Sequence, residues 1–108
     1  MWESAVPILL LMISGHFVCD YPLQGTFLAS AKVQGPLRLW HLFGHSAIHG
    51  GAVGLITGST VLGIAETLAH MIIDELKTRG VTSFAADQSL HMASKVIWIA
   101  LLVLVPLR

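Results

Sequence analysis

Acidic, imidazole, amide and amine side chains recur every four residues in four apolar stretches of the chain. Residues four apart lie on the same face of an α-helix, so each stretch presents a polar stripe. Such groups are costly to bury in a membrane or in a dry protein core, and a whole stripe of them needs partners. The four stripes are His16/Asp20/Gln24, His41/His45/His49, Glu66/His70/Asp74 and Asp87/His91/Lys95.

Metal binding is the chemistry that best explains these stripes. Ligands four residues apart on one helix can bind a single ion, as they do in metalloprotease helices. A set of imidazoles and carboxylates suits zinc best, with iron, manganese and nickel as alternatives. The candidates exceed the four ligands of one zinc, which allows two ions, or one ion with outer carboxylates that orient the histidines. We predict the ligands to be His16, Asp20, His45, His49, His70, Asp74 and His91.

Five further polar residues have less certain roles on spacing alone. Glu66 or Asp87 could act as a general base, Glu66 could instead support a ligand, and Asp87 could simply favour a helix N-terminus. His41 is most simply explained by a hydrogen bond between helices. Lys77 and Lys95 could bind an anionic group such as a lipid phosphate, or could anchor helix ends at a membrane interface.

Composition favours a single membrane domain, residues 1–108. The chain is 55 % hydrophobic and only 11 % charged, with a mean hydropathy of +0.77. Its formal net charge is zero, so nothing in it suggests nucleic-acid binding. Cys19 is the single cysteine, which excludes an intrachain disulfide, and we expect it to be a small buried apolar residue.

The element pattern predicts an all-α fold, a four-helix transmembrane bundle with up-down-up-down topology. Each apolar stretch has about the 20 residues that a membrane crossing needs, and no strand-like alternation occurs. Pro22 should loosen the end of the first helix, and Thr82 or Ser83 should cap the last one. The predicted helices span about 5–24, 37–57, 61–79 and 84–106.

The basic residues predict how the bundle is oriented. Lys32, Arg38, Lys77 and Arg79 lie in or beside two connections on the same side, whereas Arg108 lies on the other. The positive-inside tendency places these connections in the cytoplasm and both termini outside the bacterial inner membrane. The four stripes then lie in the cytoplasmic half. The first segment lacks the basic start of a signal peptide, so we expect it to be retained.

Small residues in the second predicted helix form a ridge beside its histidine stripe. Gly50, Gly54 and Gly58 recur every four residues. In lipid, such ridges allow two helix backbones to approach closely. We therefore expect a close helix contact there, either within the chain or between the copies of a homo-oligomer.

The motifs resemble those of a family of small bacterial and phage multi-pass membrane proteins, catalogued as a domain of unknown function (3307). The matching elements are His16-x3-Asp20-x3-Gln24, His45-x3-His49, His70-x3-Asp74-x2-Lys77 and Asp87-Gln88-x2-His91. The resemblance covers nearly the whole chain and implies a membrane metal site, but no reaction. More distantly, the layout is similar to membrane-bound metal-dependent hydrolases. Glu66 and His41 lie outside the family pattern, so their roles rest on spacing.

Together these observations predict an integral membrane protein that binds a divalent transition metal, most simply one or two zinc ions. The predicted activity is metal-dependent hydrolysis of a lipid or a membrane-embedded substrate near the cytoplasmic interface, because a bound metal generates hydroxide at neutral pH. The alternatives are a metal or proton carrier, or an effector whose metal or polar network is structural. A carrier should have polar residues through the full depth of the membrane, and the predicted outer half is apolar.

Overall fold

The computed structural model describes residues 2–105, without the side chain of Trp2, and these residues form an all-α fold. The predicted fold class is thus confirmed, but the count of four helices is wrong. The described helices are α1 (Ala5–Asp20), α2 (Gly25–Ala31), α3 (Arg38–Thr57), α4 (Thr60–Thr78) and α5 (Phe84–Leu104), after a short 3-10 turn, Trp2–Ser4. The predicted end of the last helix at Pro106 lies outside the described residues.

The additional helix, α2, exists because Pro22 ends α1 earlier than predicted. Proline has no N–H to donate to the carbonyl of Val18, and the N–H of Leu23 donates to that carbonyl instead, at 3.1 Å. The chain turns and starts again as a helix at Gly25, with an angle of 84° between α1 and α2. The segment predicted as a plain connection is therefore partly helical, and it leads Lys32 back towards the bundle.

The four long helices form a bundle in which α1 packs against α3 and α5, and α4 packs against the same two helices. The interior has two different halves. Near the start of α1 it is apolar, with a core of Ala5, Met12, Val53, Leu62 and Ile99. Towards the end of α1 the buried side chains are histidines, carboxylates and a lysine. The bundle therefore holds its polar residues at one end, as the stripes predicted.

The closest helix contact, between α3 and α4, depends on glycine. A Cβ atom at Gly50 would lie 1.8 Å from Oγ1 of Thr67, and one at Gly63 would lie 2.8 Å from the carbonyl oxygen of Gly50. Gly58 ends α3 with a φ of 71°, a conformation that glycine adopts without strain. The predicted close contact thus occurs within the chain; a contact between copies through Gly50, Gly54 and Gly58 stays a prediction.

From the length and composition of the apolar stretches, four helices were predicted to cross the membrane. Among residues 2–105, however, no single helix is both long and apolar enough to meet the usual criteria for crossing a bilayer. The bent pair of α1 and α2 meets them when the two helices are taken together.

Candidate metal centre

The structure brings all seven predicted ligands together at the polar end of the bundle. Each long helix contributes at least one of them, and every one of the imidazoles is almost fully buried. His45 and His70 are 0 % exposed, and Asp20 is the one ligand that is not fully buried. The contributors are His16 and Asp20 from α1, His45 and His49 from α3, His70 and Asp74 from α4, and His91 from α5.

Asp20 is the centre of the first group of contacts. The Nε2 atom of His49 lies 2.9 Å from Asp20 Oδ1, and that of His45 lies 3.4 Å from the same oxygen. The Nε2 atom of His16 lies 3.2 Å from Oδ2 of Asp20. Three imidazoles from two helices thus present the same ring nitrogen to one carboxylate.

Asp74 is the centre of the second group. His91 Nε2 lies 3.1 Å from Asp74 Oδ1, and His70 Nε2 lies 3.4 Å from Oδ2. His45 Nε2 lies 3.6 Å from that same Oδ2 and so faces both carboxylates. The ammonium group of Lys32 donates to Oδ2 at 3.1 Å, a contact that no sequence pattern predicted. The two groups are therefore neighbours, joined through His45 and His70.

These distances fit metal coordination. Four ligands at zinc–nitrogen distances of about 2.0 Å in tetrahedral geometry lie roughly 3.3 Å from one another. The Nε2 atoms of His45 and His70 are 3.3 Å apart. Ligand atoms within 4.8 Å of one another occur in two sets, one of Asp20, His45, His49 and His70 and one of His70, Asp74 and His91. His70 belongs to both sets through the same Nε2 atom, so it can bind an ion in either set but only one ion at a time.

Glu66 lies behind His70, on the side away from the other ligands. Its Oε1 atom is 3.6 Å from Nδ1 of His70, and its Oε2 atom accepts a hydrogen bond from the indole of Trp98 at 2.9 Å. Lys95 pairs with Oε1 of the same carboxylate, and both partners are buried. A carboxylate behind an imidazole fixes the ring orientation and leaves Nε2 free to bind a metal.

The sequence suggested that Lys95 anchors a helix end at a membrane interface or binds an anionic group. The position of Lys95 agrees with neither role. It is 1 % exposed and is engaged with Glu66. Burial of an ammonium group requires a partner of opposite charge, which Glu66 provides. Glu66 was predicted to be either a general base or a support for a ligand. Its position behind His70 agrees with the support role.

Asp87 lies on the other side of the centre. Ser83 caps α5, as predicted, by accepting the N–H of Ala86 at 3.1 Å, which places Asp87 in the first turn. Oδ1 of Asp87 is buried, lies 3.5 Å from Nε2 of His91 and has no hydrogen-bond partner among residues 2–105. Oδ2 accepts from the amide of Gln88 at 3.0 Å. A carboxylate oxygen is thus available beside His91.

A cavity of about 130 Å³ reaches this centre from the polar end of the bundle. Asp74 and Asp87 on its lining are buried, whereas Lys77 is exposed. Its full lining is Asp20, Tyr21, Gln24, Lys32, Asp74, Lys77, Phe84, Asp87 and Gln88. The centre is therefore open to small molecules at one end, while the apolar half of the interior fills the other end.

One protein-family model, described as "Protein of unknown function (DUF3307)", matches residues 8–107. The chain belongs to this family. No curated protein and no solved structure is detectably similar to it. The predicted resemblance to the DUF3307 family is thus confirmed, while the more distant likeness to membrane-bound hydrolases stays a prediction. The family description names no reaction, so the function has to be inferred from the geometry of the site.

In this DUF3307 chain, His41 is the histidine that lies apart from the centre. Its ring packs edge-on against Phe27, with 5.4 Å between ring centroids. His41 thus contacts α2 from α3 as an aromatic ring, whereas the sequence predicted a hydrogen bond between helices. Sequence reasoning missed Lys32 and Trp98 as neighbours of the site, because neither belongs to a four-residue stripe.

Proposed function

We propose that the chain is a membrane-embedded, metal-dependent hydrolase whose centre holds one or two divalent ions, with zinc the best fit. The observation that supports this most is the convergence of buried imidazole Nε2 atoms on Asp20 and Asp74, at 2.9–3.6 Å. Imidazole and carboxylate together form the ligand set of catalytic zinc sites. The proposed substrate is a lipid or another membrane-embedded compound near the cytoplasmic interface.

A purely hydrogen-bonded polar network explains the same geometry less well. The Nε2 atoms of His45 and His70 face each other at 3.3 Å, and both also face Oδ2 of Asp74. Between neutral rings, whichever nitrogen accepts the proton of the other then presents a lone pair to that carboxylate. A metal ion satisfies both lone pairs. The carrier alternative is also less favoured, because Met12, Val53 and Leu62 fill the other half of the interior with apolar side chains.

In the proposed chemistry, a few residues have separate roles. A divalent ion held by these imidazoles and carboxylates would lower the pKa of a bound water molecule to near neutrality. Asp87 lines the cavity and has a buried carboxylate oxygen without a hydrogen-bond partner among residues 2–105, so it is our candidate to accept a proton from that water. Glu66 would act only through His70, because its Oε1 atom lies 3.6 Å from Nδ1 of that ring. The burial of the centre on its apolar side excludes bulk water and strengthens these electrostatic contacts.

Asp87→Asn should lower hydrolytic turnover by about 10²- to 10⁴-fold, the usual contribution of a general base. The asparagine keeps the size of the side chain and can still bond to Gln88, so we expect kcat to fall with little change in KM. The measurement is zinc-dependent hydrolysis of para-nitrophenyl butyrate and para-nitrophenyl phosphate by protein in mild detergent, with Ser89→Ala, an exposed neighbour on α5, as control. Unchanged turnover in Asp87→Asn would exclude the assigned role, and metal-loaded wild type that hydrolyses neither probe would argue against a hydrolase.

The distribution of apolar side chains supports the membrane part of the proposal. Leu55 is 86 % exposed and Phe27 is 72 % exposed, whereas His45, Glu66 and His70 are 0 % exposed. A polar interior with an apolar exterior is the arrangement expected in lipid, where side chains meet hydrocarbon outside the bundle. The longest dimension of the bundle is 45 Å, close to the roughly 40–45 Å of a bilayer with its headgroup regions.

The membrane proposal leads to a direct expectation for cell fractionation. After washing with alkaline carbonate, the chain should stay in the membrane pellet, because the apolar exterior binds lipid independently of charge. A periplasmic reporter enzyme fused to the C-terminus should be active, since the basic residues of the two connections favour a cytoplasmic polar end. Release into the supernatant would argue against membrane insertion. An inactive reporter would indicate that the centre lies in the outer leaflet.

A further inference from the structure

The cavity that opens onto the candidate metal centre has side chains of both charges, and its third carboxylate, Asp20, is partly exposed like Lys32. The carboxylates of Asp74 and Asp87 are buried, while Lys77 is exposed and Lys32 is partly exposed. We propose that this cavity binds the phosphoryl group of a phosphate ester, which would be the substrate class of the hydrolase; this inference rests on the function proposed above. Metal held by the carboxylates and the ammonium groups of the two lysines would together contact the group.

The size of the cavity agrees with a single functional group. Its volume of about 130 Å³ is well below the roughly 300 Å³ at which pockets for whole small molecules begin. A second cavity of about 340 Å³ adjoins it and has Gln24, Lys32, Asp74 and Lys77 in common with it. Ala29 and Val33 add apolar surface to this second cavity. The smaller space therefore fits the phosphoryl group, and the larger one fits the alcohol part of the ester.

The charges of the lining favour an anion once metal is bound. The lining carries three carboxylates and two ammonium groups, so without metal it would repel phosphate. Two divalent ions reverse that balance, and an adjacent pair of ions is the usual arrangement in enzymes that cleave phosphate esters. A neutral carboxylic ester or amide would need neither lysine. Phosphate oxygens, in contrast, accept strong charge-assisted hydrogen bonds from ammonium groups.

Two buried oxygen atoms on this lining further indicate a ligand. Oε1 of Gln24 and Oδ1 of Asp87 have no hydrogen-bond partner among residues 2–105. Leaving a polar atom buried without a partner is destabilising, and a hydrogen bond to a bound molecule or water would offset that cost. Both are acceptors, so they suit the attacking water and a hydroxyl group of the ester rather than the phosphate oxygens themselves.

Hydrolysis at this site balances without any further reactant. The oxygen of one water forms a bond to phosphorus, and the bond between phosphorus and the alcohol oxygen breaks. One proton of the water passes to the carboxylate of Asp87 and from there to the departing alcohol. The products are an alcohol and a phosphate that carries the oxygen of the water.

A substitution of Lys77 can test phosphate binding without removing a predicted metal ligand. Its ammonium group lies 5.1 Å from the centre of the Phe84 ring and, unlike that of Lys32, has no hydrogen bond to a predicted ligand. Lys77→Gln should therefore leave the metal in place and weaken phosphate binding. The loss of one charged hydrogen bond corresponds to about tenfold in Kd.

The test is calorimetric titration of zinc-loaded protein in mild detergent with inorganic phosphate. Wild type should bind phosphate, Lys77→Gln should bind it about tenfold more weakly, and the matched control Arg79→Gln should differ by less than about twofold. Arg79 is a suitable control because it is exposed at the same end and pairs with Glu75 instead. Metal content is measured in all three samples. Zinc-loaded wild type that does not bind phosphate, or Lys77→Gln that binds it like wild type, would overturn the inference.

A second arm identifies where the phosphoryl group comes from. Phosphate release is measured from phosphatidate in detergent micelles and from water-soluble para-nitrophenyl phosphate. Release from phosphatidate alone supports a lipid headgroup as the source, and release from the soluble ester alone supports a free phosphate ester. If metal is present and phosphate does not bind, only the present inference fails; if wild type holds no metal, the proposed function fails as well.

Discussion

His70→Ala should remove metal from the protein almost completely. His70 belongs to both possible ligand sets, so either ion loses a nitrogen ligand. Removal of an outer partner of a ligand usually weakens metal binding by about 10- to 100-fold, and loss of the ligand itself should exceed that. The measurement is the metal-to-protein ratio, by inductively coupled plasma mass spectrometry, after purification in mild detergent.

Three other histidine variants make this result specific. His49→Ala and His91→Ala each remove a ligand from one set and leave the other set intact, so they should lose less metal than His70→Ala. His41→Ala is the matched control, because His41 lies on the same helix as His49 but contacts Phe27. Wild-type metal content in His70→Ala would contradict the ligand assignment, as would equal losses in His41→Ala.

Lys95→Met should destabilise the fold by about 3–5 kcal/mol, the usual cost of leaving one member of a buried ion pair without its partner. Lys95 and Glu66 are both almost completely buried, so water cannot replace the lost ammonium group. Methionine has a similar length and fills the same space. The measurement is the free energy of unfolding in detergent, followed by circular dichroism.

Two further variants separate the ion pair from packing. The double variant Glu66→Gln/Lys95→Met removes both charges and should recover most of the lost stability, because no buried charge is then unpaired. Lys77→Met makes the same change at an exposed lysine and should stay within about 0.5 kcal/mol of wild type. If Lys95→Met is as stable as Lys77→Met, the pair does not stabilise the fold.

The sequence contained most of the information about the metal centre because that information is periodic. A spacing of four residues determines which side chains share a helix face, and His45 and His49, or His70 and Asp74, therefore had to point the same way. The apolar lengths likewise predicted the four long helices to within a few residues at most ends. These features depend on local geometry alone.

Contacts that depend on the path of the connections could not be predicted in this way. Lys32 reaches Asp74 only because Pro22 ends α1 and α2 turns by 84° across the end of the bundle. The pairing of Lys95 with Glu66 depends on the rotation of α5 relative to α4, which spacing within each helix does not determine. Trp98 gave no polar signal, since its indole N–H matters only once Glu66 is placed beside it.

The close helix contact through the glycine ridge was predicted, but the helix that packs against the ridge was not. Spacing showed that Gly50 and Gly54 allow a close approach, yet a second chain would have fitted that pattern equally well. The structure places Gly63 of α4 against them, 3.6 Å from the position of a Cβ at Gly54. A close α3–α4 contact is what brings His45 and His70 within 3.3 Å of each other.

The most direct test of the central claim is the metal content of the wild-type chain itself. The protein is purified in mild detergent without chelators, and its metals and its amino acids are quantified in the same sample. We expect roughly one to two divalent transition-metal ions per chain, removed by a strong chelator and restored by zinc. Protein that contains no stoichiometric metal, and that takes up no zinc in equilibrium dialysis, would contradict the assignment of His70, Asp74 and their neighbours as a metal centre.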